Sequence, residues 1–434
     1  MIDPISRRHF LKQGSVFTAG VTTLGGVATL RAATSPNEKV VVAIIGCNNR
    51  GMDHIAAYLA LPNAEIGCVC DVDSRIVEKG VAAAAKKQQR QPQGVKDFRR
   101  ILDNPDVDAV SIAMPDHWHA PATILACAAG KHVYVEKPGS HNLRESELMV
   151  AAARKHKRVV QMGNQRRSWP WVIESIEALR AGELGRVCFA RGWYTNHRTS
   201  IGRGKRVPVP EWLDYSLWQG PAPERPFQDN VIHYNWHWFW NWGTGELGNN
   251  GVHALDLARW GLGVELPRRV TCGGSRYFYQ DDWETPDTMS ATFDFGDKGI
   301  AWECQSCAPR GFEGSGFGVN FYGEKGCMSL SGSKCTIYDL NDKAVREIKA
   351  KREVPFDPNA LHFANFLDGI RDGKELHAEI GEGQKSSVLC HLGNVAWRTG
   401  HTISFDPVKR EILGDAAARA LCRRAYRPGW EPKV

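Results

Sequence analysis

No internal repeat and no low-complexity tract breaks up this 434-residue chain, which excludes repeat architectures and disordered scaffolds. No apolar run comfortably spans a bilayer: the weakly apolar stretch from Gly14 to Leu30 is a little short and too rich in glycine. Metal-ligand spacing is missing as well. Cys304 and Cys307 form a C-x-x-C, but inside a strand-like run, with no second pair and no histidine partners, which speaks against zinc or redox chemistry. Of the twelve cysteines, Cys47, Cys68 and Cys70 fall in or beside an apolar strand and Cys127 on a helix, so buried free thiols are expected rather than disulfides. No two carboxylates can be placed for two-carboxylate glycoside hydrolysis. Charge of one sign is also scarce. The net +7 falls to about +4 without the first 33 residues, which carry Arg7, Arg8, Lys12 and Arg31 against Asp3. The basic run Arg419, Arg423, Arg424 and Arg427 has only Tyr426 and Trp430 beside it, and it reads as a solvated tail rather than a nucleic-acid surface.

Those first 33 residues have a pattern of their own. Ser6-Arg7-Arg8-His9-Phe10-Leu11-Lys12 leads into the weakly apolar stretch and then Arg31-Ala32-Ala33. A charged start, an apolar middle and small residues after it fit an export signal, and the paired arginines fit the twin-arginine type, which carries folded proteins to the periplasm. The alternative is an uncleaved anchor, because Ala32-Ala33 lacks a clear small residue at both required positions. Length beyond what one core supports predicts two further domains.

The first opens on Val40-Val41-Val42-Ala43-Ile44-Ile45, which runs into Gly46-Cys47-Asn48-Asn49-Arg50-Gly51. Roughly twenty residues later the apolar run from Ile66 to Cys70 ends in Asp71. A buried strand, a tight turn into a helix and an acid at the next strand's tip are what a dinucleotide requires. The turn lets backbone reach the pyrophosphate, the helix N-terminus holds its charge, and the carboxylate takes the ribose hydroxyls. Asn48 stands where G-x-G-x-x-G has its middle glycine. A glycine-containing turn in an ordinary α/β domain is the alternative, since Asn tolerates left-handed backbone.

Further strands alternate with helices. Asp108 to Ala113 ends in Met114-Pro115-Asp116-His117-Trp118-His119; a helix from Ala120 to Ala129 stops at Gly130; the strand His132 to Val135 ends in Glu136-Lys137-Pro138. Helix Arg144 to His156 and strand Arg158 to Met162 follow, then Gly163-Asn164-Gln165-Arg166. That spacing predicts a doubly wound parallel sheet with its ligand at the carboxyl ends of the strands, where these polar residues cluster. From Arg186 the pattern changes to a strand containing Trp193 and Tyr194, a long Arg/Pro/Gly loop, and several alternating strands between Val270 and Leu340. Between them Tyr234 to Trp242 carries six aromatics and His237 in nine residues, readable as a structural wall or as a surface for stacking sugars. Farther on, Gly245 to Trp260 begins as a turn and becomes a helix. On α-helical spacing Asn249 and His253 share a face, with Asp256 a turn beyond. Such a histidine is a candidate general base, or simply a packed or capping residue.

The nucleotide strand, P-D-H-W-H, E-K-P and G-x-L-x-N-x-G-x-H-x-x-D, in that order, resemble the Gfo/Idh/MocA oxidoreductases over residues 38 to about 405, and the G-N-Q-R-R and W-G-T-G-E-L-G segments resemble the exported twin-arginine branch. The resemblance implies an NAD(P)-binding Rossmann domain at 38–162 and a substrate and oligomerisation domain at 163–405, an α+β unit with a large, mostly antiparallel open sheet. Residues 406–434 remain as a tail. It further implies a homo-oligomer and a cofactor site of Gly46, Asn48, Asn49, Arg50, Gly51, Asp71, Pro115, His119, Glu136, Lys137 and Gln165. Catalysis would fall to Lys137 and His253, supported by Asn249 and Asp256. Trp193, Tyr194, Trp236 and His237 would meet the substrate with Asn249 and His253. Relatives acting on sugars and cyclitols usually have Asp where this chain has Asn249, so Asp256 or Glu246 compensates, or the base is weaker, or the chemistry differs.

Three activities are compatible with these residues. The first is an exported oxidoreductase working on a secondary alcohol of a sugar, cyclitol or glycoside with NAD, or NADP if Arg75 reaches a 2′-phosphate. The second is an NAD-dependent glycosidase or epimerase that oxidises transiently. The third is a carbohydrate-binding protein without turnover. Because the periplasm holds little free NAD(P), a tightly held, recycled cofactor is expected.

Overall fold

The computed structural model describes residues 39–350 and 357–434. The expected export signal lies outside the described residues.

Two sheets carry the fold. The first is parallel and six-stranded: β1 (Val40–Ile45), β2 (Ala64–Cys70), β3 (Gln93–Val95), β4 (Ala109–Ile112), β5 (His132–Val135) and β6 (Val160–Met162), in the order β3-β2-β1-β4-β5-β6. Both faces of a parallel sheet are covered by its crossover helices, which is why β1 is an unbroken apolar run, β4 is apolar but for Ser111, and both are almost wholly buried. Chain direction reverses its lateral progress between β1 and β4, and ligands settle outside the carboxyl ends of strands at such a switch point. Helices α1 (Arg50–Leu59), α2 (Ser74–Ala85), α3 (Asp116–Ala128) and α4 (Leu143–Lys155) wrap this sheet.

The helix expected from Ala120 starts earlier, at Asp116. Pro115 sets the chain for helix entry and Asp116 occupies the first turn, so P-D-H-W-H is a helix N-terminus rather than a loop.

The second sheet has ten strands: β7 (Val187–Thr195), β8 (Arg269–Ser275), β9 (Thr288–Asp294), β10 (Gly299–Gln305), β11 (Phe317–Gly323), β12 (Gly326–Ser331), β13 (Lys334–Tyr338), β14 (Ala344–Lys349), β15 (Ile403–Asp406) and β16 (Glu411–Leu413). They run in the order β14-β13-β12-β11-β7-β10-β9-β8-β15-β16, and of their neighbouring pairs only β7 with β10 is parallel. Burial alternates along β9 and β10, as one covered face requires. Helices α5 (Val252–Leu262) and α6 (Ile380–Thr399) are largely buried, and α5 lies on the covered face, where Gly192 of β7 leaves the space that Ala254 fills.

The aromatic run divides by residue. Trp238, Phe239 and Trp242 are core, Trp238 stacking on Trp283 with ring centroids 4.0 Å apart. The twelve cysteines are free and form no disulfide; the first eight, from Cys47 to Cys307, are buried or half-buried, six of them within strands or helices.

The segment after residue 405 is not a solvated tail. It adds β16 to the sheet and a short helix, Ala416–Ala420, then folds back on the first domain. Arg424 donates to the buried Glu145 at 2.7 Å and to the His117 carbonyl at 2.6 Å, Tyr426 donates to Glu145 at 2.7 Å, and Trp430 meets Trp118 edge-on. A buried carboxylate in α4 demands a cation, and the basic run supplies one. Replacing Arg424 by Met should therefore lower unfolding free energy by about 3–5 kcal/mol in urea titrations. A loss below about 1 kcal/mol, the range of surface pairs, would contradict this account of the C-terminal segment.

Candidate active site

The turn after β1 is shaped by two glycines. Gly46 has φ +82°, and a Cβ there would lie 2.8 Å from the backbone of Ala113 and Met114. A Cβ on Gly51 would sit 1.9 Å from the Gly46 carbonyl oxygen, so the helix can approach the strand only with glycine there. Asn48 replaces the middle glycine without blocking the turn, and Asn49 takes the left-handed φ of 46°. No side chain caps α1, so the positive end of its dipole is open to an anion. Asp71 closes the other side: its carboxylate accepts from the Cys47 N–H at 2.7 Å and the Asp73 N–H at 3.0 Å, and burial raises its pKa. Arg75 is engaged elsewhere, by Asp73 at 2.7 Å and over the Trp212 ring at 3.5 Å.

At the end of β5, Glu136 is a buried hub. Its Oε1 accepts from Arg50 Nε at 2.8 Å, His54 Nε2 at 3.0 Å and Gln165 Nε2 at 2.8 Å. Burial pushes the carboxyl pKa up, but Arg50 and His54 overcome this and hold it well below the usual range. Accepting from His54 Nε2–H leaves His54 Nδ1 to accept from the Ser111 hydroxyl, 2.9 Å away. Gln165, also bonded to the Tyr134 hydroxyl, stands behind Glu136. His119 lines the cleft and sets its two ring nitrogens against the carbonyls of Pro138 and Met114.

Lys137 crosses to the second domain. Its ammonium donates to the Asn249 backbone oxygen at 2.7 Å and to Asn249 Oδ1 at 3.2 Å, and burial lowers its pKa. Asn249 in turn donates to Glu246 Oε1 at 3.3 Å. Glu246, 1% exposed, also accepts from Arg198 Nε and the Ser306 hydroxyl, each at 2.9 Å, and from Asn250.

Asn249 is thus tied to Lys137 and Glu246 and makes no hydrogen bond to His253 among the described residues. The expectation of a shared face assumed α-helical spacing, whereas Leu247–Gly251 is a π-turn that rotates Asn249 relative to α5. His253 is half-buried, and burial first, then Lys137 and Arg166, hold its pKa well below the ordinary value, so its imidazole is neutral. Asp256 is committed to Arg167, which grips it at 2.8 and 2.9 Å, and to the Ser386 hydroxyl at 2.7 Å. The carboxylate beside Asn249 is therefore Glu246.

These elements enclose a cleft of about 310 Å³ at the switch point, within the span of small-molecule sites. Gly46, Asn48, Asn49, Arg50, Asp71, Pro115, His119, Glu136 and Lys137 line one side; Tyr234, Trp236, His237 and Asn249 line the other. Trp236 stacks on His237 with centroids 3.6 Å apart. Trp193 stands apart: it is 1% exposed, donates to the Ser315 carbonyl at 2.8 Å and packs on Gly318. Its neighbour Tyr194, on the opposite face of β7, receives hydrogen bonds from Asn196 and Arg198. Sequence reasoning missed Arg198, Asp116 with its Thr244 partner at 2.6 Å, and the Asp73–His233 pair at 3.1 Å. All three partnerships span long sequence separations, and only Glu246 and Asp116 sat in segments with any local signal.

Two family models match the chain. The oxidoreductase family's NAD-binding Rossmann fold covers residues 40–164, and its C-terminal alpha/beta domain covers residues 189–276 and 318–432. A glycosyl hydrolase family 109 protein of Shewanella sp. (strain W3-18-1) is 31% identical over 37% of this chain and 39% of its own length. A levoglucosan dehydrogenase of Pseudarthrobacter phenanthrenivorans is 29% identical over 51% of each. The chain thus spans about two fifths to one half of these curated relatives. Among solved structures, an aldose-aldose oxidoreductase from Caulobacter crescentus complexed with glycerol superposes with a TM-score of 0.66 at 20% identity, over 85% of this chain and 100% of that one.

The Asp256 geometry predicts a stability role. With its pKa depressed to about 2, the ionised carboxylate contributes stability that is complete above the ordinary value of 3.8 and is lost as pH falls through about 2. Asp256→Ala should cost about 3–5 kcal/mol at neutral pH, because the buried Arg167 and Arg259 would be left to share Glu382 as their only carboxylate, and the gap from the parent should narrow in acid. Unchanged stability with abolished turnover would instead make Asp256 part of the chemistry.

Proposed function

Because the chain belongs to the Gfo/Idh/MocA oxidoreductase family, whose N-terminal fold binds NAD, we propose that it is an NAD-dependent oxidoreductase acting on a secondary alcohol of a sugar, cyclitol or glycoside. The observation that carries this reading is the Lys137 ammonium, held by Asn249 where the nucleotide-binding side of the cleft meets the second domain. The residues fit the cofactor: glycines clear the turn, the uncapped helix faces the pyrophosphate position, and Asp71 stands at the ribose position with Arg75 occupied. When bound, NAD supplies the hydride acceptor. His253, neutral at physiological pH, accepts the hydroxyl proton. Lys137 donates a hydrogen bond to the same oxygen and, through Asn249, is backed by the Glu246 carboxylate, which steadies its charge in a buried site. Tyr234, Trp236 and His237 offer the ring faces and polar edges that sugars prefer.

A second reading is favoured by the match to a family 109 glycosyl hydrolase: a ketone formed transiently would let the aglycone leave by elimination, water would add to the unsaturated sugar, and reduction of the ketone would close a redox-neutral cycle. Export through the twin-arginine signal to the periplasm belongs to either reading, as does association through the ten-stranded sheet, where Phe189 and Tyr322 are exposed. Formation of net NADH with free sugars supports the first activity; release of an aglycone without net NADH supports the second.

Lys137→Ala and His253→Ala should each reduce turnover by about 10²–10⁴-fold, the usual span for acid–base groups, with far smaller changes in NAD affinity. Turnover per folded molecule that survives either change would remove that residue from the mechanism.

A further inference from the structure

A second cavity, of about 250 Å³, lies between the start of α4, the C-terminal half of α6 and Leu421–Ala425. It borders the active cleft without belonging to it: Thr244 lines it while donating to the cleft residue Asp116. Its lining holds an excess of donors. Neither ring nitrogen of His141 has a partner, nor does Asn142 Nδ2 on a residue 5% exposed, nor Arg424 Nη1. Arg424 is otherwise fixed by Glu145 and the His117 carbonyl, and Asn142 Oδ1 caps α4, so neither side chain can turn away to find an acceptor.

Charge follows the same direction. Arg398, set over the Trp240 ring at 5.0 Å, and Arg423 line the cavity with no hydrogen bond or ion pair among the described residues. Glu145, the nearby carboxylate, is already saturated by Arg424, Tyr426 and the His141 N–H. His141 lies in the same field: burial, then Arg424, His117, His391 and Arg398, push its pKa well below the ordinary value. Arg398 and Arg423 are solvent-exposed at the rim of the cavity and have no carboxylate partner among the described residues, so they add positive charge above the idle buried donors of His141, Asn142 and Arg424.

We propose that this cavity binds a tetrahedral oxyanion, phosphate or sulfate, free or as the ester of a small metabolite. Two unpaired arginines at the rim, with the idle Arg424 Nη1, His141 and buried Asn142 Nδ2 beneath them, suit an oxyanion, and this inference is independent of the activity proposed above.

The test is calorimetric titration of the full-length protein saturated with NADH, so that the helix α1 terminus is filled. Inorganic phosphate, sulfate, a sugar phosphate and acetate are the probes. Saturable binding of phosphate or sulfate, tighter than acetate, is expected, and the sugar phosphate distinguishes free ion from ester. The affinity should fall about tenfold in Arg398→Gln/Arg423→Gln and in His141→Phe, which fills the cavity without touching either arginine, while NADH affinity holds. Absence of saturable binding, or an affinity unchanged in both variants, would overturn the proposal.

Discussion

Everything in the cleft depends on one buried carboxylate. Glu136 is 4% exposed, so its charge persists only because Arg50, His54 and Gln165 surround it. Those three residues come from α1, into which the nucleotide turn leads, and from the segment after β6. Glu136 thus fixes the helix against strands β4 and β5, and the next residue, Lys137, reaches into the second domain. Two consecutive side chains couple the position of the cofactor turn to that of the ammonium group.

A second layer of buried charge does for the substrate side what Glu136 does for the nucleotide side. Glu246 gathers Arg198, Asn249, Asn250 and Ser306, while Asp256 gathers Arg167 and Ser386. Each carboxylate is matched, so the proton transfers proposed above fall to Lys137, held by Asn249, and to His253, which lies half-buried outside the residues that line the cleft. Asparagine at position 249 fits this arrangement: a carboxylate there would stand about 3 Å from Glu246 and repel it.

Much of this was legible in the sequence because it is local. Mostly apolar runs marked β1, β2, β4 and β5, and their polar endings marked the cleft, since a parallel sheet places strand ends and ligand together. Family resemblance supplied Lys137 and His253. What stayed hidden was non-local or irregular. The π-turn at Leu247–Gly251 shifts Asn249 off the helical face that regular spacing implies. His54 looks like one more helix residue until Glu136, 82 positions away, is beside it. The basic C-terminal segment read as solvent-exposed because nothing local reveals that Glu145 lies buried and unpaired without it. Trp193, in a strand with alternating faces, fell on the inner face while Tyr194 fell on the other.

The central claim is that this cleft holds NAD, with Asp71 at the ribose and Arg75 withheld from a 2′-phosphate. The most direct test is the absorbance and mass of the nucleotide released when natively purified full-length protein is denatured. The account predicts NAD or NADH in near-stoichiometric amount. Release of NADP or NADPH, or protein that purifies free of nucleotide and binds NAD no more tightly than NADP, would contradict it.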